Sequence, residues 1–370
     1  MTVAITGVGL HPFGRHDGVS LTAMGAAAAR AALAEAGVLP GQRDALGSAF
    51  VGTAYGGVAA GHKVLGALAL TGIPIVDVEA GCASGAAALA LGAAAVRSGE
   101  HQRVLVLGIE KMPKGMIRSS FFEPWQEAAG LTPAPAYFAL RAQRLLRERG
   151  LTKEHLAALV VKNRAAGVTN PDAMFRKAVT AEEVLASRIV SEPLHLWMLC
   201  SPNEGAAAVV LEAGDGDGVT LRAACLRSHL PGSVLAESSP LAGIDDTGIP
   251  APSQLAAADA YEIADCGPAD LDAVECQDTD AARELLAWEE LGLCQPGEQA
   301  AALADGRFDN GGRCAVNASG GLLSKGEPLG ASALGQVVFL TRRLRAGDAR
   351  LALAHTVGRG ANASVVILSG

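Results

Sequence analysis

Cys82 is the residue whose setting in this 370-residue sequence most favours chemistry. It stands in "TGIPIVDVEAGCASGAAALALGAAAVRSG", between a β-branched run that reads as a buried strand and a series of alanine, glycine and leucine that reads as a helix. A thiol at a helix N-terminus meets unpaired backbone N–H groups and the positive end of the helix dipole, which favour thiolate over thiol. The same donors could stabilise an oxyanion formed beside it. The helix shows no polar face over several turns, which predicts burial on all sides. These residues alone leave two readings open: a nucleophile held at the floor of a tunnel, or a structural cysteine in a tight core. His355 is a second candidate. It ends a predicted strand ahead of "TVGRG", where an imidazole could act as general base or fill the core.

The elements that must position these groups alternate along the chain, which argues for an α/β protein. Strands are expected at Val3–Ile5, Ile73–Val78, Val104–Ile109, Ala206–Leu211, Val219–Ala223, Leu351–His355 and Ser364–Leu368. Helices are expected at Leu21–Ala36, Cys82–Arg97, Tyr137–Arg149, Asp280–Leu291 and Gly330–Arg345. "AGDGDG", Ala213–Gly218, marks a boundary between halves. Between Lys111 and Pro202 charge increases and two of three tryptophans appear, Trp125 and Trp197, as expected of a long insertion. That insertion is either a lid or substrate wall, or an accessory helical layer.

Composition narrows the function classes. Half of the residues are hydrophobic, largely alanine, and aromatics make up only 4%, so the core must rely on close backbone approach. The formal charge of −8 carries no basic stripe, which argues against nucleic acid as a partner. Seven cysteines with no Cys-x-x-Cys pair suggest neither a disulfide framework nor a metal site, and a reducing, cytoplasmic setting follows. The N-terminus does not read as a signal peptide. The uncharged run Ala80–Val96 reads as a buried helix, not a membrane span. "GVGLHPFG" does not fit a dinucleotide turn, because Pro12 occupies the place of the third glycine after Gly7 and Gly9.

The segment "TGIPIVDVEAGCASG", followed by "VLVLGIEKM", resembles the nucleophile region of the thiolase superfamily, most closely the sterol-carrier-protein-type thiolases. "TNPDAMFRKAVTAEEVLASR", "CSPNEGAAAVVL", "ELLAWEELGLC", "NASGGLLSKGEPLGASALGQ" and "AHTVGRGANASVVIL" follow in the family's order. The resemblance spans nearly the whole chain. It implies an α/β thiolase fold of two similar βαβαβαββ-type halves, residues 1–215 and 216–370, forming a layered α-β-α-β-α core. A loop domain at about residues 112–200 is inserted in the first half, and a homodimer is expected.

The resemblance also implies chemistry. The cysteine matching Cys82 takes an acyl group from a coenzyme A thioester, which splits one difficult carbon–carbon bond change into two acyl transfers. The acyl-CoA is a substrate; no tightly bound cofactor and no metal are implied. Glu327 of "GEP" stands where the family has the histidine of Gly-His-Pro. It could donate to a carbonyl if protonated, act as base if ionised, or be structural. The family's His-Asp-Cys-Phe reads here as Gln277, Asp278, Thr279 and Asp280: Gln277 can still donate, but Thr279 replaces a proton-shuttling cysteine, and Cys276 is offset. His355 matches a family histidine. Ser319 and Gly320, and the glycine turn at Gly358 and Gly360, are expected to bind the thioester or its oxyanion. Arg359 either meets an acidic substrate group or faces solvent. Cys200, Cys225, Cys266, Cys294 and Cys314 read as core residues, and His62 as a wall or surface group.

The expected function is therefore a thiolase-like acyltransferase for C–C bond cleavage or formation. One alternative is the thiolase-like subunit of a two-component ketothiolase or retro-aldol lyase that works with a small zinc-containing OB-fold protein. The other is a non-catalytic acyl-CoA or lipid-binding subunit.

Overall fold

The alternation of β-branched runs and alanine-rich segments resolves, in a computed structural model describing residues 1–39, 42–115, 124–130, 133–214, 218–231, 248–358 and 362–370, into an α/β fold. Its strands are β1 (Val3–Gly14), β2 (Ser48–Gly52), β3 (Ile75–Val78), β4 (Arg103–Lys111), the short hairpin β5 (Ile189–Ser191) and β6 (Leu194–His195), then β7 (Glu204–Ala213), β8 (Val219–Ser228), β9 (Ala273–Cys276), β10 (Ala315–Val316), β11 (Leu351–Val357) and β12 (Asn362–Ser369). All but the hairpin join one sheet in the order β10-β9-β11-β12-β8-β1-β7-β4-β2-β3.

The order repeats. β1-β7-β4-β2-β3 and β8-β12-β11-β9-β10 share one pattern, two antiparallel pairings followed by two parallel ones. The halves meet through Ala4 opposite Thr220 and Ile5 opposite Val219. Both pack on the same two helices, Ser84–Arg97 and Leu329–Ala346. The core between them draws Val3, Leu89, Val104, Leu334, Ala352 and Val366 from strands of both halves and from both helices. The helix Leu21–Glu35 covers the outer face of the first half, and Pro252–Ala264 and Ala281–Glu290 that of the second. This is the layered α-β-α-β-α arrangement. The expected division at 215/216 falls at residues 215–217, outside the described residues.

Small residues do what the composition demands. Gly7 and Gly9 lie within β1 against the helix Leu21–Glu35, so they serve packing, not a nucleotide turn. Near the N-termini of the two central helices a Cβ on Gly85 would stand 2.8 Å from the Gly330 carbonyl, and one on Gly330 would stand 2.5 Å from Ile109 O. Only glycine permits that approach.

The expected elements extend or shift. β1 runs on to Gly14 because His11 still finds a partner in Ala206 of β7. The helix predicted from Cys82 starts at Ser84, after a tight turn at Gly81–Ala83. It is not buried on every side: Leu91 and Ala94 are exposed. Strands as short as β2, β9 and β10, and the helices Lys153–Thr169 and Pro252–Ala264, were outside the sequence expectation. Gly85→Ala, whose Cβ would meet the Gly330 carbonyl, is expected to cost about 1–3 kcal/mol through overpacking. A thermal melt checks this, and an unchanged midpoint would contradict the close approach of the central helices.

Candidate active site

Five backbone segments converge on one cavity of about 910 Å3: the turn at Cys82, residues 199–202, residues 277–279, residues 327–329 and the end of β11 at Val357–Gly358. Cys82 and Glu327 immediately precede the two central helices, so the Gly85–Gly330 contact that joins those helices also brings both residues to the cavity. Cys82 is buried with 7% of its surface open. Its turn is clamped by Ser84, whose hydroxyl accepts from Ala80 N at 2.8 Å and donates to Gly81 O at 2.6 Å. Gly358 lies against the same turn, where a Cβ would stand 2.2 Å from Ala80 O.

Glu327 is held at both carboxylate oxygens. Gln277 Nε2 donates to Oε1 at 2.7 Å, and the Cys200 thiol donates to Oε2 at 3.3 Å. Gln277 is oriented in turn by Val357 N–H, which donates to its Oε1 at 2.8 Å. The Glu327 carboxyl group thus accepts at both oxygens and donates to neither partner. Burial, then the charge of Glu327, pushes the Cys200 thiol well above its usual range, with Asp278 and Cys82 adding to the effect. Cys200 therefore keeps its proton at neutral pH.

The backbone stitches these groups together. Glu327 N donates to Ser201 O at 2.8 Å and Cys200 N to Thr279 O at 2.9 Å. Asp278 accepts from Leu322 N at 2.6 Å and Leu323 N at 3.1 Å, fixing the short helix Gly321–Lys325 that leads to Glu327. Thr279 lines the cavity, and its hydroxyl donates to Asp280 at 3.2 Å.

Cys82, Gln277, Glu327 and Gly358 are thus gathered as the sequence suggested, and other expected residues are placed elsewhere. His355 is fully buried in β11 and does not line the cavity. Its Nε2 meets Ser253 Oγ at 2.9 Å, and Ser253 is the residue that faces the space. Ser319 and Gly320 do not line it either. Ser319 N–H and hydroxyl both engage Glu275, while Gly320 packs against Gly167. The Gly358 N–H donates to Asn362 O at 2.6 Å, so it is not aimed at a substrate oxygen. Gly360 and Arg359 lie outside the described residues. His62 is exposed, and Cys276 is buried away from the cavity.

Cys200, read from sequence as a core residue, is a cavity residue. The available signal was its place opening "CSPNEGAAAVVL", one of the motifs carrying the resemblance. The insertion contributes to the cavity lining, through Met112, Tyr137, Phe138, Phe175 and Trp197 among others. None of the seven cysteines is joined to another in a disulfide. Among the described residues no helix is long and apolar enough to cross a membrane.

Comparison with known proteins adds an independent line. A family model described as "Thiolase, N-terminal domain" matches residues 3–215, and one described as "Thiolase C-terminal domain-like" matches residues 239–370. The benzoylsuccinyl-CoA thiolase subunit BbsB of Thauera aromatica is 33% identical over 381 residues, covering 98% of this chain and 96% of that protein. Sterol carrier protein 2 of Oryctolagus cuniculus is 32% identical over 398 residues, covering 99% of this chain and 71% of that protein. Among solved structures the Ltp2-ChsH2(DUF35) aldolase superposes with a TM-score of 0.86 at 24% identity, over 99% of this chain and 97% of that one.

Burial, with Arg283 adding to it, holds the His355 imidazole well below its usual range. The unfolded chain therefore binds a proton below about pH 6.5 that the folded chain refuses, and stability rises with pH through that window. As pH falls below about 6.5, His355 should progressively remove stability. His355→Gln, which can still meet Ser253, should show a shallower fall of thermal midpoint over the same range; parallel curves would contradict the buried neutral imidazole.

Proposed function

From the premise that the chain belongs to the thiolase family, we propose that it is an acyltransferase forming an acyl-thioester on Cys82 from an acyl-CoA or 3-ketoacyl-CoA, for C–C bond cleavage or formation. The observation that supports this reading most is that Cys82 shares its cavity with the hydrogen-bonded group Gln277–Glu327–Cys200.

In the cleavage direction the Cys82 thiolate attacks the 3-keto carbon. A carbon–sulfur bond forms, the C2–C3 bond breaks, and the electron pair goes to C2 of the departing CoA ester. That carbon takes the proton of the Cys200 thiol, the role left open by Thr279. Coenzyme A then enters, and its thiol proton passes to Glu327 as its sulfur attacks the acyl carbonyl. Cys82 leaves as thiolate, and Glu327 returns the proton to Cys200 across their hydrogen bond. Gln277 gives one amide N–H to Glu327 and has a second for the developing oxyanion. His355 carries no step; it supports Ser253 in the wall. Arg176, Lys177 and Arg188, exposed at the cavity, suit the phosphates of coenzyme A.

The proposed domains are residues 1–215 and 216–370. The proposed assembly is a homodimer through β3, which ends the sheet with an open edge, with Val76 42% and Leu91 46% exposed beside it. A second reading is favoured by the names of two similar proteins, one a thiolase subunit and one an aldolase joined to a DUF35 component. In it the chain is the thiolase-like half of a two-component ketothiolase or retro-aldol lyase with a small zinc-containing OB-fold partner. Co-purification with such a partner, and turnover that requires it, would support this second reading.

Purified protein mixed with a panel of acyl-CoA esters should gain one acyl mass on the Cys82 peptide, and Cys82→Ala should gain none. No adduct across the panel, with CoA esters still bound, would leave a non-catalytic acyl-CoA-binding subunit. Cys200→Ala should retain the adduct but slow C–C bond turnover by roughly 10²–10⁴-fold. Turnover within threefold of wild type would remove Cys200 from the proton path.

A further inference from the structure

Three buried arginines line the cavity: Arg141 and Arg164, each 7% exposed, and Arg283, 3% exposed. Two of them are neutralised in place. Arg141 pairs with Asp280, and Arg283 pairs with Glu290. Arg164 is different. Among the described residues it meets no carboxylate and no hydrogen-bond acceptor; its buried Nε, like those of Arg141 and Arg283, has no partner. Its one polar contact is with the face of Phe175, with the guanidinium 4.3 Å from the ring centroid. Burial alone pulls its pKa down to about 10, still far above neutrality, so the side chain is a cation.

An isolated buried charge is costly, and a cation–π contact recovers only part of that cost. The helix Lys153–Thr169 could bury an apolar residue at this point with no such cost. A charge kept at a cavity wall without a counter-ion is matched by a ligand that supplies one.

We propose that Arg164 binds a carboxylate carried by the acyl portion of the thioester substrate, so that the cavity selects dicarboxylic over monocarboxylic acyl-CoA esters. This rests on the thioester reading above. A carboxylate fits better than a phosphate of coenzyme A: one planar guanidinium balances one carboxylate and can bind it through two parallel hydrogen bonds. The more highly charged phosphates are matched by the exposed Arg176, Lys177 and Arg188, where water shares the charge.

The experiment compares glutaryl-CoA with pentanoyl-CoA, which differ in the terminal carboxylate. Wild-type protein should acylate with a preference for glutaryl-CoA, and Arg164→Met should reduce that preference about 10- to 100-fold, the range for a hydrogen bond to a charged group. Arg164→Lys should fall between them. Arg164→Met removes an uncompensated buried charge, so its thermal midpoint should not drop, which separates loss of binding from loss of fold. Equal losses on both CoA esters, absent when the corresponding pantetheine thioesters are used, would assign Arg164 to a phosphate and overturn the proposal. An unchanged preference would overturn it also. Calorimetric binding of both esters to Cys82→Ala protein reads the same selectivity without acylation. Selectivity there with no adduct on the wild type would sink the enzymic reading and leave the role of Arg164 standing.

Discussion

The contact of the two central helices near Gly85 and Gly330 is the constraint on which the site depends. Each helix belongs to a different half of a repeated fold, and each is preceded by a residue of the cavity: Cys82 before Ser84–Arg97, Glu327 before Leu329–Ala346. Bulk at the contact would push the helix starts apart, and with them the thiol and the carboxylate. The alanine and glycine content that makes this chain poor in aromatics is what lets two helices be enclosed between two half-sheets, with their positive ends at one cavity.

Around that frame the polar groups of the cavity hold one another in place. Gln277 is oriented by the Val357 N–H and holds one oxygen of Glu327, while Cys200 holds the other. A histidine at the Glu327 position would both accept and donate; a carboxylate bound this way accepts. In the proposed mechanism the donor then comes from elsewhere, from the Cys200 thiol, which burial and Glu327 itself keep protonated. Asp278 anchors the segment before Glu327 through two backbone N–H groups, so the altered motif still does its structural work.

The legible parts of the site are those embedded in contiguous motifs. Cys82 follows a strand and opens a helix, and Gln277 and Glu327 stand at recognisable places in their segments. His355 illustrates what is not legible: its strand is buried on both faces, so alternation cannot say which way the ring points, and it turns out to meet Ser253 instead of the cavity. Ser319 lies near Glu327 in sequence, but its polar groups are taken by Glu275. Apart from the motif that Cys200 opens, nothing local separates a cavity thiol from a core thiol; the meeting of residues 200–203 with Thr279 and Glu327 does so. Likewise β9 has four residues, too few to display a period, yet it completes the repeat that makes the halves alike.

The central claim is that acyl transfer passes through a covalent intermediate on Cys82 within this restrained group. Exchange of isotopically labelled coenzyme A into an acyl-CoA, with no second acyl substrate present, tests it most directly. The account predicts exchange by the wild-type protein and none by Cys82→Ala. Exchange that persists in Cys82→Ala, or its absence in wild-type protein that binds the same ester, would contradict it.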